Sequence, residues 1–373
     1  MRQAKYELNM NTKNDYYDDY CSIIKYVQYE LHKETEWQKR YLDYAAKLSM
    51  NKLSYSKPRN LSPLLKLYTT ISGSLDNVKG NNPTLDVRYK GQSVANIEQV
   101  CDDGKDNFKL IIPVELINNN AKTFTGYSAL NQLNDNVDIC VDLDSTTGRI
   151  FNKFFTKDHT KQSKNKKEAH PEHTLESALL TELEKTMGGD KYIKYIQPIT
   201  LLKMRYQFPT PFTASKIYKK AINGEIGEND LSYSKGNGGG IDILARRKRK
   251  IVVMELKDEY SNKEKPELAI RQAIVYATFV RELLRYGESQ NKDHWYKLFG
   301  FNSKLPKKLK IKCAIAMPDV KDPNLFINAG LMELPLADAN DKHQDVLSLH
   351  CINIVLNDNN KNDIVDLIPD KEF

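Results

Sequence analysis

The sequence predicts a mixed α/β protein of two domains, and three observations carry that reading. The chain has 373 residues, more than one typical domain uses. Apolar residues make up 40% and charged residues 28%, enough for a buried core in each domain and a well-solvated surface. In the second half, helix-period stripes and strand-like runs follow one another in the mixed order of a covered central sheet.

The elements follow in order. From about Asp19 to Met50 the pattern is helical: Ile23, Ile24, Val27 and Leu31, then Trp37, Tyr41, Tyr44, Ala45 and Leu48, recur at three and four residues. Such stripes read as core, with an oligomer contact or a base-stacking surface as the alternative. Strand-like runs come next, at Leu67 to Ile71, Phe108 to Ile117 and Asn136 to Leu143. Residues 1–155 therefore read as an α+β N-terminal domain for recognition or assembly. Residues 156–170 include the basic run Lys157 to Lys167 and read as a linker, with a strap over nucleic acid as the alternative. The second domain, 171–373, opens with a helix from His173 to Lys185 and an extended stretch from Ile199 to Phe208. Two close strands follow, Ile241 to Ala245 and Ile251 to Lys257, then a helix from Pro266 to Arg285. Strands Ile311 to Met317 and Val346 to Leu356 complete it.

Composition narrows the function classes. The net charge of +7 favours polyanionic partners only mildly. Five cysteines at wide spacings, with no C-x-x-C pair, indicate neither a zinc ribbon nor a disulfide framework. Cys140 and Cys313 sit in apolar runs and read as small buried hydrophobes. Met1 to Tyr20 lack the apolar core of a signal peptide, and Ala273 to Val280 is too short to span a bilayer. A cytoplasmic protein with no membrane partner is expected; whether it forms a homo-oligomer is open.

The chemistry concentrates in GGGIDILARRKRKIVVMELKDE, residues 238–259. Glu255 and Lys257 are two apart on a strand and share a face. A hairpin centred on Lys248 and Arg249 sets Asp242 directly opposite Glu255. Cross-strand partners lie about 4.5–5.5 Å apart at Cβ. The flanking Ile241, Ile243, Ile251, Val253, Met254 and Leu256 make this an interior sheet. Like charges so close destabilise a fold unless something neutralises them, and a hard divalent cation does so. Mg²⁺, with Mn²⁺ as substitute, is the expected cofactor; it activates water and stabilises charge on a phosphate. Lys257 would orient that water or offset charge in the transition state. A surface salt bridge between Glu255 and Lys257 is the bland alternative.

Asp-x₁₂-Glu-x-Lys on adjacent strands, preceded by glycine, resembles the active-site signature of the PD-(D/E)XK nucleases, which include many restriction enzymes and the RecB-like nucleases. Ile241 stands where the family often has proline. Gln272 and Tyr276, four apart in RQAIVYATF, resemble the Q-x-x-x-Y element of RecB-like members. The resemblance covers residues 170–320. It implies a restriction-endonuclease-like mixed central sheet flanked by helices, with Asp242, Glu255, Lys257, Gln272 and Tyr276 at a metal site. It also implies one more acid from a helix before the sheet. Of Glu176, Glu182 and Glu184, Glu176 shares the face of Leu179, Leu180 and Leu183 and is the expected ligand. Arg246, Arg247, Lys248 and Arg249 form a basic hairpin tip that could grip a phosphate backbone at the mouth of the site, a solvated turn being the equal alternative. The function implied is metal-dependent cleavage of DNA in restriction, anti-phage defence or repair. RNA as substrate, or a non-catalytic binding protein with a vestigial nuclease fold, are the rivals.

Overall fold

The computed structural model describes residues 10–50, 61–69, 84–102, 105–123, 138–156, 171–185, 196–201, 204–224, 231, 239–258, 265–336, 341–357 and 360–373. The first half of the chain gives α1 (Met10–Lys33), α2 (Glu36–Met50), β1 (Leu65–Thr69), β2 (Leu85–Tyr89), β3 (Gln92–Asp102), β4 (Lys105–Ile112), α3 (Val114–Thr123), β5 (Ile139–Asp142) and α4 (Thr146–Phe154). Then come α5 (Pro171–Lys185), β6 (Ile196–Pro198), β7 (Arg205–Tyr206), β8 (Phe208–Thr210), α6 (Ala214–Asn223), β9 (Gly239–Ile241), β10 (Ile243–Arg247) and β11 (Lys250–Leu256). The last elements are α7 (Pro266–Ser289), α8 (His294–Leu298), β12 (Lys310–Pro318), α9 (Leu325–Asn328), β13 (Glu333–Pro335), β14 (Val346–Asn357) and β15 (Asn360–Pro369).

The fold is mixed α/β. It divides into two compact units, one of Met1–Leu48, Leu180–Ile199 and Phe208–Phe373, the other of Ser49–Leu179 and Thr200–Gln207. This corrects the expected single boundary. Helices α1 and α2 belong with the C-terminal sheet because their apolar stripes are buried within that unit: α1 packs along α7 and α6. The basic linker expected at 157–167 lies outside the described residues.

The first unit is built on a sheet of order β13-β14-β12-β11-β10-β6, with β15 also pairing with β14. β11, β12 and β14 run parallel, while β10 and β6 run antiparallel to their neighbours. Parallel strands are covered on both faces, which is why β11 and β12 read as near-continuous apolar runs. α7 packs against β11 and β12 and is buried from Ala273 through Val280. Around its Phe279 stand Trp37 at 5.6 Å, Tyr41 at 5.2 Å, Phe212 at 5.7 Å and Phe208 at 6.3 Å between ring centres. Tyr41 donates its hydroxyl to the Pro209 carbonyl at 2.7 Å, so α2 grips the β8 backbone. β8 in turn pairs with β9, Thr210 opposite Gly239. The N-terminal stripe is thus core, holding the ribbon that leads to Asp242.

The second unit is built on a sheet of order β5-β4-β3-β2-β1-β7. Its core gathers Leu65, Leu85, Val87, Ile97, Leu110, Phe151 and Phe155. Lys90 and Gly91, at φ 48° and 79°, form the two-residue turn between β2 and β3; two left-handed residues are what a type I′ turn requires. The strand expected from Phe108 to Ile117 stops at Ile112, because Pro113 has no N–H for the ladder and α3 begins at Val114. Cys140 is exposed rather than buried: in the alternation of edge strand β5, Ile139 takes the inward position. Cys313 is fully buried, as expected.

Candidate functional site

The hairpin of β10 and β11 has the register that the sequence predicts. Ile243 pairs with Met254 and Arg247 with Lys250, so the turn is the two residues Lys248 and Arg249. Lys248 takes the left-handed conformation, φ 54°, without the glycine or asparagine such a turn prefers. Asp242 does not continue the strand. It sits at a bend between β9 and β10, one step beyond the paired residues. From there its Oδ2 accepts a hydrogen bond from the Leu256 N–H at 2.9 Å. That bond takes the place of a ladder hydrogen bond and turns the carboxylate toward the end of β11. A carboxylate oxygen of Asp242 and one of Glu255 lie within 4.8 Å of each other.

Glu255 and Lys257 share a face, as alternation requires, and both are buried, at 4% and 7% exposure. Lys257 Nζ donates to Glu255 Oε1 at 3.1 Å. The bland reading, a surface salt bridge, does not hold for a pair so enclosed. Glu255 also adds to the burial that pushes the Cys313 thiol well above its ordinary range.

Gln272 binds this pair together. With its amide turned so that the oxygen faces the ammonium, it accepts from Lys257 Nζ at 3.1 Å and donates to Glu255 Oε1 at 2.9 Å. One side chain on α7 therefore spans both charges of the E-x-K pair. Tyr276, one turn on, is 5% exposed. A Cβ added at Gly239 would lie 2.7 Å from the Tyr276 hydroxyl, 2.6 Å from the Phe212 carbonyl and 3.0 Å from Thr210 Oγ1. Gly239 is the residue that lets β9 approach that hydroxyl so closely. Tyr276 thus lies beside the β9 backbone at Gly239, three residues before Asp242.

Of the other expected residues, Glu176 belongs to the second unit and the basic tip to the turn of the β10–β11 hairpin. Glu176 is 3% exposed, and the helix phase is as expected, with Glu182 half-buried and Glu184 exposed. Within the second unit its carboxylate lies 3.7 Å from His173 Nδ1, and its charge acts on Tyr68 and Arg88. Glu172, one turn earlier on the same face, is a half-buried acid that the leucine pattern alone does not single out. The basic tip is not at the mouth of the site. The turn lies six residues from Asp242, about 20 Å along the strand. Arg246 donates to Gln197 Oε1 at 2.8 Å and to the Gly300 carbonyl at 2.5 Å. Arg247 lies 5.2 Å from the centre of the Phe373 ring. Only Lys248 and Arg249 of the four are exposed. Asp258, buried at 7%, is a further acid beside the E-x-K pair that strand alternation did not reveal, since it follows the end of β11.

Among the described residues no helix is long and apolar enough to cross a membrane. Compared with family models, with curated proteins and with solved structures, the chain matches none.

Proposed function

We propose that the protein is a metal-dependent nuclease of the PD-(D/E)XK type, with a restriction-endonuclease-like core, that hydrolyses DNA phosphodiester bonds in the cytoplasm in restriction, anti-phage defence or repair. The observation that supports this most is the Gln272 amide bridging Glu255 and Lys257 while Asp242 stands within 4.8 Å of Glu255. A buried salt bridge kept only for stability is weakly justified, because apolar residues of like size serve as well. A buried pair held from α7 by a third polar group, beside a second carboxylate, has the pre-organisation a catalytic centre needs.

The donor set fits a hard divalent cation. Asp242 and Glu255 offer only oxygen, the ligand type that Mg²⁺ and Mn²⁺ prefer, together with water and phosphate. Bound there, the ion would polarise a phosphate oxygen and lower the pKa of water. The chain's own residues do the rest. Asp242 is aimed by the Leu256 N–H. Gln272 ties Glu255 and Lys257 to one amide. Lys257 orients the attacking water and offsets charge on the phosphate. Glu176 enters as a further acid only through the family resemblance. The test is incubation with linear and circular, single- and double-stranded DNA and RNA, with Mg²⁺ or with chelator. Metal-dependent cleavage of DNA supports the proposal; cleavage of RNA alone moves the substrate; no cleavage of any of them overturns it.

A further inference from the structure

On the sheet face opposite Glu255 and Lys257, one edge of the sheet, where β10 ends and β11 and β12 begin, carries cations set side by side. Arg247 and Lys250 are register partners across β10 and β11. β11 and β12 run parallel with Val252 beside Lys312; continued back two residues, the same register sets Lys250 beside Lys310. Register partners point to one face, so Arg247, Lys250 and Lys310 form a row across three strands. Lys312 stands on the same face one rung further along. Lys248 in the turn and Lys308 before β12 are exposed beside the row.

The charges of this row act on one another. Burial, then Lys310 and Arg247, lower Lys250. Glu333 on β13 is an acid among them. It pairs with Lys310, whose hydrogen bond holds the Glu333 carboxyl below its usual range, with Lys308 and Lys250 adding to the effect. Beneath the row Lys312 is buried, 3.0 Å from His350 Nε2 and donating to the Glu372 carbonyl at 3.1 Å. His350 Nδ1 lies 3.0 Å from Asp370 Oδ2. Burial, with Lys250 and Arg247 adding repulsion, pushes the Lys312 ammonium down to about 8.

Like charges directly opposite one another destabilise a sheet. A row of them in register is a cost that an anionic partner removes. Strands lie about 4.8 Å apart, so the row is a line of closely set cations, which suits a polyanion whose charges are strung along one line. We propose that Lys248, Lys250 and Lys310 form a contact surface for the phosphodiester backbone of a nucleic acid, separate from the Asp242–Glu255 site. It lies about 17 Å from Glu255 along β11. The choice of a phosphodiester over other polyanions rests on the nuclease reading of that site.

The test compares the wild-type protein with Lys248→Gln/Lys250→Gln/Lys310→Gln and, as an equal charge change elsewhere, with Lys25→Gln/Lys33→Gln/Lys39→Gln. Binding of a fluorescein-labelled 30-base-pair duplex is followed by anisotropy in chelator, from 50 to 200 mM salt. Hydrolysis of bis(p-nitrophenyl) phosphate with Mn²⁺, a diester too small to reach the row, reports the other site alone. The row variant is expected to bind DNA at least tenfold more weakly at 100 mM salt. The slope of log K against log salt should fall by about two to three, close to 0.9 for each phosphate that the row no longer neutralises. The control triple should keep the wild-type slope, and all three proteins should cleave the small diester equally. An unchanged slope in the row variant overturns the proposal while small-diester cleavage stands. DNA binding lost with the row, in a protein that cleaves no diester, supports the surface and overturns the nuclease reading. Loss of binding to phosphatidylserine vesicles, with DNA binding intact, overturns the nucleic-acid assignment. Circular dichroism melting checks the fold; relief of like charge should roughly offset loss of the exposed Lys310–Glu333 pair, so Tm should stay near that of wild type.

Discussion

Replacing Lys257 by Met tests whether the E-x-K pair is a pre-organised charge pair. Glu255 and Lys257 are 4% and 7% exposed, with Nζ and Oε1 3.1 Å apart. Removing one partner of such a pair strands the other and costs about 3–5 kcal/mol. Gln272 still donates to Glu255, so the loss should lie at the lower end, about 3 kcal/mol in chelator. Adding Glu255→Gln removes the stranded charge. The double variant should then be only about 1 kcal/mol less stable than wild type, whatever the single Glu255→Gln costs. Both tryptophans of the chain, Trp37 and Trp295, lie in the first unit, so urea unfolding followed by tryptophan fluorescence reports that unit alone. Mg²⁺ should restore part of the loss in Lys257→Met, about 1.4 kcal/mol at ten times its Kd, because the cation binds the folded state and supplies positive charge beside Glu255. A double variant whose loss equals the sum of the two single losses within about 0.5 kcal/mol would refute the reasoning.

Further outcomes are expected. Phe279→Ala should cost the first unit about 3–5 kcal/mol, since the ring touches α2, β8 and the α6 approach at once; a melting temperature like wild type's would rule out the aromatic cluster as a source of stability. For the same reason a chain of residues 171–373 alone should show no cooperative melting, and a sharp transition by calorimetry would restore the single boundary. Glu176→Gln should slow cleavage and raise the Mg²⁺ needed, while Glu182→Gln and Glu184→Gln do little; equal rates in all three, measured on one DNA substrate, would leave Glu176 a structural acid beside Arg88. Lys312 carries a pH dependence. The unfolded chain protonates this amine below about 10.4, the folded chain only below about 8, so stability rises with pH across that window and is lowest below it. Lys312→Met should flatten the urea midpoint between pH 8 and 10; an unchanged pH slope would place the titrating group elsewhere.

Much of the site was legible because it obeys simple periods. Two-residue alternation set Glu255 and Lys257 on one face, counting back from Lys248 and Arg249 set the hairpin register, and helical spacing put Gln272 and Tyr276 on one side of α7. The bend at Asp242 was not legible. It depends on β9 leaving the sheet to pair with β8, a pairing between residues about 30 positions apart that no local pattern announces. The place of α1 and α2 was missed for a similar reason: a stripe shows that a face is buried, never against what. The Arg246 and Arg247 side chains looked like a solvated basic tip because charge alone does not reveal Gln197, Gly300 or Phe373 waiting beside them.

The central claim is that Asp242 and Glu255 together hold a catalytic metal. Asp242→Asn tests it most directly, because asparagine keeps an oxygen for the Leu256 N–H and removes only the charge, whereas alanine would also leave that donor unsatisfied, at a cost of about 1 kcal/mol or more. The measurement is the initial rate of duplex DNA cleavage against Mg²⁺ concentration for wild type and Asp242→Asn side by side. A metal held by the two carboxylates predicts no cleavage in chelator, saturable cleavage by wild type, and a loss of at least about a hundredfold in Asp242→Asn with its fold intact. Wild-type rates in Asp242→Asn, or cleavage that persists in chelator, would contradict it.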